Sequence, residues 1–424
     1  MLIGWPRNAA LAARREGPVS MTDTANSDAE LASMLTETEI AALLPNFDFF
    51  LKEHAERAEE VLGYARRHCP VPHTSATRGY HIVTRYDDVR RVLTDPETFS
   101  STEYTNIAGN AGVPLPPLDT DPPLQHGFRQ LLNPFFHPKR LAASDERVRE
   151  IARSAMETWI GSGRCEVMRD FAGPFVTNVL ASVIFEDDDG ELFREAAECN
   201  ERFITGDPQG VVDFYQLMVQ FVEKRTASSD PGAIVEAVTT GTVAGRPLTD
   251  AERVGVVQVL FIGGLDTTKV AIGDMMLQLA TDRSFEELLR KPGWERTILD
   301  EFLRHSSPVG AMGRIVTRDV DLNGAQLHAG DRVLVHFASA NRDDEIFDGA
   351  DELNFNRERN PHVAFGMGVH RCIGMHLARQ QIRIAIDTLL ERITNLRLAP
   401  GAEIARRPGM SRVLYALPIE FDIR

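Results

Sequence analysis

The segment "HVAFGMGVHRCIG" (residues 362–374) surrounds one cysteine, Cys372, with three glycines, two histidines and an arginine. Beyond it, apolar residues recur every three or four positions, which predicts a helix over 373–393 with one apolar face: Ala378, Ile382, Ala385, Leu389 and Ile393. Cys372 would lie at the N-terminus of that helix, where free N–H groups and the dipole stabilise negative charge. The pattern predicts a thiolate with a lowered pKa, in a glycine turn that a flat partner can approach closely.

Other interpretations of this segment are weaker because their spacing does not fit. A dinucleotide-binding fingerprint requires a third glycine where Arg371 stands. His370, Cys372 and His376 are potential zinc ligands, but a fourth ligand and the usual paired spacings are missing. A buried structural cysteine beside a glycine-rich turn is the alternative that these residues alone leave open.

The composition limits the class of protein. The chain has 424 residues, a formal charge of −16 and four widely spaced cysteines with no CxxC pair. We therefore expect no disulfide scaffold, and we expect the protein to work in a reducing compartment. The negative charge argues against a nucleic-acid partner. No uninterrupted run of about 18 apolar residues occurs, so we expect no membrane anchor.

The hydrophobic periodicity is mostly helical. It predicts helices over 50–68, 86–94, 123–134, 141–161, 173–185, 191–204, 211–226, 249–281, 284–290, 295–306 and 373–393. Strand-like patterns are fewer: 80–85, 319–335 and 412–423. Residues 101–123 form a long Gly/Pro-rich connection, which is typical of a functional or disordered loop. We predict a single large helical domain with a smaller β-rich portion over 45–424, and a flexible N-terminal extension over 1–44.

The predicted helix over 249–281 has an unusual centre. Thr249 and Glu252 form a capping box that marks its start. The glycine pair 263–264 weakens the middle by about 1 kcal/mol per residue relative to alanine, and Asp266 and Thr267 follow at once. A local widening or kink that admits a ligand accounts for these features. Tight helix packing at the glycines, with a solvated Asp266, is the alternative.

The cysteine segment resembles the haem-binding signature of the cytochrome P450 family, F-G-x-G-x-H/R-x-C-x-G. The matching residues are Phe365, Gly366, Gly368, His370, Cys372 and Gly374. The resemblance implies a mainly α cytochrome P450 fold. It also implies haem b as cofactor, with the Cys372 thiolate as axial ligand of the iron.

Further motifs of that family follow in the same order along the chain. "EFLR" resembles its ExxR pair, so Glu301 and Arg304 are expected to form an ion pair in the core beside the haem. Without this context, two charges three residues apart would be taken for a surface bridge. The resemblance assigns four residues to the haem propionates: His126, Arg129, Arg314 and His370. It places Gly264, Asp266 and Thr267 in the oxygen-activation groove, with the last two supplying protons.

The resemblance implies a bacterial, camphor hydroxylase-like monooxygenase that uses O2 and acts on a hydrophobic small molecule in the cytoplasm. Electrons would come from a ferredoxin and its NAD(P)H-dependent reductase, docking near Arg129, Lys139, Arg140 and Arg371. Residues expected to line the substrate pocket are mostly apolar: Tyr104, Val113, Val259, Ile262, Val309, Ala311 and Met410. The alternatives are a non-catalytic haem sensor or carrier, and a peroxide-driven or isomerase member of the same fold.

Overall fold

The computed structural model describes residues 34–102, 105–107, 112–187, 190–204 and 207–424. Helices form most of the ordered structure in these ranges. The α-helices there are α1 (Glu37–Leu43), α2 (Lys52–Ala55), α3 (Ala58–His68), α4 (Tyr86–Thr94), α5 (Leu124–Leu132), α6 (Pro138–Ala142), α7 (Asp145–Glu157), α8 (Gly173–Val179), α9 (Gly190–Ile204), α10 (Pro208–Thr226), α11 (Ala233–Thr240), α12 (Asp250–Thr281), α13 (Arg283–Leu289), α14 (Ile298–Ser306), α15 (Phe337–Ala340) and α16 (Met375–Arg392).

The strands are short and form a smaller part of the described chain. They are β1 (His73–Thr74), β2 (Tyr80–Val83), β3 (Phe99–Ser100), β4 (Arg164–Glu166), β5 (Thr242–Val243), β6 (Arg246–Pro247), β7 (Ala311–Val316), β8 (Val320–Leu322), β9 (Ala325–Leu327), β10 (Arg332–His336), β11 (Ile393–Leu398) and β12 (Pro418–Ile423). The largest sheet has five strands in the order β1-β2-β10-β7-β3. A three-stranded sheet has the order β11-β12-β4, and β5-β6 and β8-β9 are separate pairs.

Helix α12 runs through the main hydrophobic core and packs against α8, α9, α10 and α16. Its predicted capping box is confirmed: the Thr249 hydroxyl accepts a hydrogen bond from the Glu252 N–H (3.2 Å), and the Glu252 carboxylate accepts one from the Thr249 N–H (2.8 Å). By length and mean hydropathy (1.4 over an 18-residue window) α12 could cross a membrane, although it has no uninterrupted apolar run. Because 67% of that window is buried inside the protein, α12 is accounted for as a core helix.

Helix α1 lies inside the stretch predicted to be a flexible extension. A capping box at Thr36 starts this helix. Ile40 (4% exposed) and Leu44 (6%) are buried in a cluster with Val61 and Leu62 of α3. The predicted extension over 1–44 is therefore wrong for its last part, because these side chains gain stability by burying apolar surface against α3. Residues 1–33 lie outside the described residues.

Most predicted helices are present within a few residues, and the differences have local causes. The predicted helix over 141–161 is two helices, α6 and α7. Ile393, predicted to belong to the last helix, instead begins β11 and pairs with Ile423. The sequence patterns missed the helices α1, α11 and α15 and the strands β1, β3, β4, β5, β6, β7 and β11. The strand β4 was missed because it forms by pairing with β12, which is far away along the chain. The strand β7 pairs with the nearby β10 and also with the distant β3.

Candidate active site at the cysteine loop

The cysteine loop, residues 362–374, is held by main-chain hydrogen bonds that turn it back on itself. The Gly366 N–H donates to the Val363 carbonyl (2.8 Å), and the Cys372 N–H donates to the Phe365 carbonyl (2.8 Å). Helix α16 begins directly after the loop, so Cys372 lies at its N-terminal end as predicted. Cys372 is exposed by its accessible surface, although many protein atoms surround its sulfur.

Two glycines give the loop its shape. Gly366 (φ 65°) and Gly368 (φ 67°) adopt left-handed conformations that other residues rarely tolerate. At Gly368 a Cβ atom would also lie 2.2 Å from the Leu93 carbonyl oxygen of α4. No side chain fits there, so the close approach of the loop to α4 requires glycine.

The predicted lowering of the Cys372 pKa is wrong for the protein alone. Burial raises the pKa of this thiol above its ordinary value. A hydrogen bond from the Gly374 N–H and the charges of Arg129, Arg379 and Arg371 oppose that rise without cancelling it. Removing water from a charged sulfur costs more free energy than the helix N-terminus and the nearby arginines contribute in stabilisation. A metal cation at the sulfur would reverse this balance.

Arg314 is a buried cation that has no carboxylate within ion-pair distance in the part of the chain that the structure describes. It lies in β7, is 5% exposed, and its Nη1 donates only to the adjacent Gly313 carbonyl (2.7 Å). Burial lowers the pKa of Arg314 to about 10, and Asp121 partly offsets that effect from outside ion-pair distance. Among the described residues no ion pair satisfies this guanidinium. A buried charge of this kind requires an anion beside it.

His370 and Arg129 approach the same region from two other segments. The His370 Nε2 atom is buried and has no hydrogen-bond partner among the described residues. Burial, together with the positive charges of Arg314 and Arg129, lowers the pKa of His370 to about 3, so the three groups lie within range of one another's charges. Arg129 also donates to the Arg371 carbonyl (2.8 Å). Three donors from α5, β7 and the cysteine loop thus surround a place suited to carboxylates.

The fourth predicted propionate donor, His126, does not join this group. It is exposed on α5, whereas the preceding residue, Gln125, is fully buried and donates to the Val369 carbonyl (2.6 Å). The Gln125 Oε1 atom has no hydrogen-bond partner within the described ranges. Sequence reasoning missed Gln125. The available signal was helical spacing, because Gln125, Phe128 and Leu132 form the buried face of α5.

Glu301 and Arg304 form the buried ion pair that the sequence predicted. They are 1% and 0% exposed, and two parallel hydrogen bonds of 2.8 Å join the carboxylate to the guanidinium. Burial alone would raise the pKa of Glu301, but hydrogen bonds from Arg304, the Asn354 N–H and Arg357 lower it below its ordinary value. The surface-bridge interpretation is therefore wrong for this pair.

The remaining donors of Arg304 hold distant parts of the chain. Its Nη1 donates to the carbonyls of Asn341 (2.6 Å) and Ala350 (2.7 Å), and its Nη2 donates to the Glu352 carbonyl (2.8 Å). Asn360 donates to Glu301 (3.1 Å) shortly before the cysteine loop begins. Both charges are fully hydrogen-bonded, which is the condition under which a buried pair supports a fold.

The expected widening at the centre of α12 is not present, because the helix continues unbroken through its two glycines. The glycines have different surroundings. A Cβ at Gly264 would lie 2.9 Å from Leu180, whereas one at Gly263 would meet no atom within 4 Å. Gly264, predicted to face the cofactor, therefore serves helix packing, and Gly263 faces open space. The Thr267 hydroxyl donates to the Gly263 carbonyl (2.8 Å) on that open side.

Asp266 is buried (4% exposed), so the alternative of a solvated carboxylate is wrong. Asn200 of α9 donates to one of its oxygens (2.8 Å), and the Lys269 ammonium lies 3.1 Å from the other. Lys269 also lies 3.2 Å from Glu201, whose side chain is 54% exposed. Asp266 thus reaches the surface through Lys269 and Glu201 rather than directly.

The predicted pocket residues fall into separate groups. Val113 and the loop after it approach α12, where Gly255 lies against the Pro114 carbonyl one turn before Val259. Ile262 is half-buried on the same helix.

Other predicted pocket residues lie near the end of the chain. Val309 pairs with Ser411, and Met410 accepts a hydrogen bond from Gly310 (2.7 Å), so Val309 and Met410 are neighbours. Ala311 (2% exposed) packs into the cluster that contains α1, which argues against a pocket position. Tyr104 lies outside the described residues.

Known proteins identify the family. The profile described as "Cytochrome P450" matches residues 296–408. The probable cytochrome P450 127A1 of Sinorhizobium fredii is 33% identical over 336 residues, covering 76% of this chain and 79% of that protein. Linalool 8-monooxygenase of Pseudomonas putida is 27% identical over 368 residues, covering 80% and 89%. The crystal structure of CYP108D1 from Novosphingobium aromaticivorans superposes with a TM-score of 0.80 at 23% identity, covering 91% of this chain and 98% of that one. The chain belongs to the cytochrome P450 family.

The protein is a cytochrome P450 monooxygenase with the cytochrome P450 fold and haem b as its cofactor. The residues at the cysteine loop fit that group. Among the described residues, Arg314 is a buried cation without a carboxylate at ion-pair distance, and His370 carries a buried nitrogen without a hydrogen-bond partner. Carboxylates such as the haem propionates would satisfy both.

Proposed function

We propose that the protein inserts one oxygen atom from O2 into a hydrophobic small molecule in the cytoplasm, with electrons supplied by a ferredoxin and its NAD(P)H-dependent reductase. The observation that carries this proposal is the Asp266–Thr267 pair. Both residues lie on α12, which packs against α16, the helix that follows Cys372. A haem carrier or sensor has no need of a buried carboxylate beside a hydroxyl that faces open space.

In this proposal each residue acts on the haem or on a proton. Cys372 binds the iron, and Arg129, Arg314 and His370 hold the propionates. When bound, the haem supplies the oxygen chemistry, and the protein positions the substrate and delivers protons. The Thr267 hydroxyl can turn from the Gly263 carbonyl and donate its proton to a group bound in the open space. Asp266 can replace that proton from the surface through Lys269 and Glu201.

The proton pathway predicts different defects for two variants. Thr267→Ala should still bind substrate and consume NADH through its partners. It should release hydrogen peroxide in place of product, because the hydroxyl that delivers protons to the reaction is missing. Asp266→Asn should slow the whole cycle by about 100-fold, since the hydroxyl remains but its supply is cut. The measurement is product and peroxide formed per NADH consumed, together with turnover.

Thr268→Ala is the matched control for this pair. It makes the same chemical change one residue further along α12, at a side chain packed in the core (4% exposed), and should keep the wild-type ratio of product to NADH. If Thr267→Ala and Asp266→Asn both kept the wild-type ratio and turnover, the pair would have no part in the reaction.

The apolar character of Val113, Val259 and Ile262 supports a hydrophobic substrate, as does similarity to a linalool monooxygenase. We expect linalool-like terpenoids and other apolar ring compounds to shift the haem absorption band as they displace water, and hydrophilic sugars of similar size to cause no shift. Titrating both sets into the resting holoprotein measures this directly. A shift only with the hydrophilic compounds would contradict the proposed substrate class.

Exposed positive charges near the cysteine loop support a docking surface for an acidic ferredoxin. Lys139 and Arg371 are exposed, and Arg129 is tied to the Arg371 carbonyl. Arg140 is less available, because it is paired with Glu186 (2.9 Å). The formal charge of −16 over the whole chain makes a local basic surface necessary for such a partner.

Charge reversal on this surface should slow reduction. We expect Lys139→Glu and Arg371→Glu each to lower the rate of electron transfer from the ferredoxin by about 10-fold at low salt, with the difference shrinking as salt rises. Lys52→Glu on α2 (65% exposed) is the control and should change little. Stopped-flow reduction at several ionic strengths measures the effect. Equal rates for all three variants would exclude this surface.

A further inference from the structure

Asn341 is completely buried and its side chain joins two parts of the chain. Its Nδ2 donates to the Ser307 hydroxyl (2.8 Å) at the end of α14, and its Oδ1 accepts from the Val363 N–H (2.8 Å) in the cysteine loop. Its main-chain carbonyl accepts from Arg304. The amide thus connects the helix of the buried ion pair directly to the loop that carries Cys372.

The connection continues from Val363 to the cysteine itself. The Val363 carbonyl accepts from the Gly366 N–H, and the carbonyl of Phe365, which directly precedes Gly366, accepts from the Cys372 N–H (each 2.8 Å). Asn341 therefore holds the first turn of the loop, and that turn holds the main chain of Cys372. A change at Asn341 would therefore reach the Cys372 main chain through this series of hydrogen bonds.

The other end of the connection is rigid. Ser307 is 0% exposed and has a left-handed backbone (φ 44°), which is unfavourable for a residue other than glycine. Its hydroxyl donates to the Arg304 carbonyl (2.7 Å) while it accepts from Asn341. Such a conformation persists only where the surroundings enforce it, so Ser307 provides Asn341 with a fixed anchor.

We propose that Asn341 is a positioning residue that sets the distance between the cysteine loop and the end of α14, and thereby how Cys372 is presented to the haem iron. The inference rests on Cys372 being the iron ligand, as proposed above. Groups that orient a metal ligand typically change metal affinity by about 10–100-fold when they are removed. Without Asn341 the buried Val363 N–H would have no acceptor, and the loop would move to find one.

Two substitutions at the same position test the proposal. Asn341→Leu keeps the approximate volume but removes both hydrogen bonds, so haem release to an acceptor protein should become about 10-fold faster. Part of its carbon monoxide complex should also lose the long-wavelength thiolate band. Asn341→Asp retains an acceptor for Val363, and because complete burial favours the neutral carboxyl group, it can still donate to the Ser307 hydroxyl. This variant should therefore restore slow release and the full band.

Phe302→Leu separates positioning from loss of stability. Phe302 lies on α14 (3% exposed) and packs against Phe285, so its truncation lowers the melting temperature without touching the cysteine loop. Haem release and band position in Asn341→Leu that equal those of Phe302→Leu would overturn the proposal.

Ser307→Ala is a milder second variant, in case Asn341→Leu does not fold. It keeps the hydrogen bond from the Val363 N–H to Asn341 and removes the Ser307 hydroxyl that anchors the Asn341 amide. Haem release should therefore still be faster than in Phe302→Leu, and equal release rates would overturn the proposal. Failure of the ligand assignment would look different, because the thiolate band would then survive in Cys372→His.

Discussion

Cys372→His should abolish the long-wavelength band of the reduced carbon monoxide complex while some haem stays bound. The reason is that this band requires a thiolate, and an imidazole ligand donates less electron density to the iron. Arg129, Arg314 and His370 do not depend on the sulfur, so the haem should still be retained in part. Monooxygenase activity should be lost with the band, since thiolate donation favours O–O cleavage.

The matched control is Cys69→Ser, which alters the other exposed cysteine of the described chain. This variant should keep the wild-type spectrum and haem content. Reduced spectra with carbon monoxide and haem content of both purified variants are the measurement. A wild-type band in Cys372→His would refute the assignment of Cys372 as the iron ligand.

Glu301→Ala should destabilise the protein by about 3–5 kcal/mol, because it leaves the fully buried Arg304 without its carboxylate. Arg357, which also donates to Glu301 (3.1 Å), would lose its partner as well. Little soluble holoprotein should be recovered, and what is recovered should melt at a much lower temperature. The melting temperature of Glu301→Gln should lie between those of the wild type and Glu301→Ala, since glutamine keeps a hydrogen-bond acceptor but not the charge.

Glu150→Ala is the control for burial. Glu150 pairs with Arg147 at the same three-residue spacing (3.5 Å), but both side chains are about half exposed (56% and 50%). Removing an exposed pair typically changes stability by about 0–1 kcal/mol. Thermal melting and holoprotein yield compare the two directly. If Glu301→Ala melted within the range of Glu150→Ala, the pair would not support the core.

The local sequence determined those features that depend on neighbouring residues. The capping box at Thr249 and Glu252 predicted the start of α12, because its atoms lie within one turn. The glycines of the cysteine loop predicted a tight turn, and two of them have positive φ. The apolar spacing after Cys372 predicted α16 to within a few residues. All of these are short-range effects that other parts of the chain modify little.

Only the tertiary structure decided burial and the partners of charged groups. "EFLR" is equally compatible with a surface bridge, and it is buried because Asn341, Ala350, Glu352, Asn354 and Arg357 close around it. The side of each helix that meets the rest of the protein decides which of two neighbouring residues is buried. On α5 this residue is Gln125 and not His126, and on α12 the glycine that faces open space is Gly263 and not Gly264. The raised pKa of the Cys372 thiol has the same origin. Removal of water is a property of the whole fold, and it outweighed the local effect of the helix terminus that the sequence predicts.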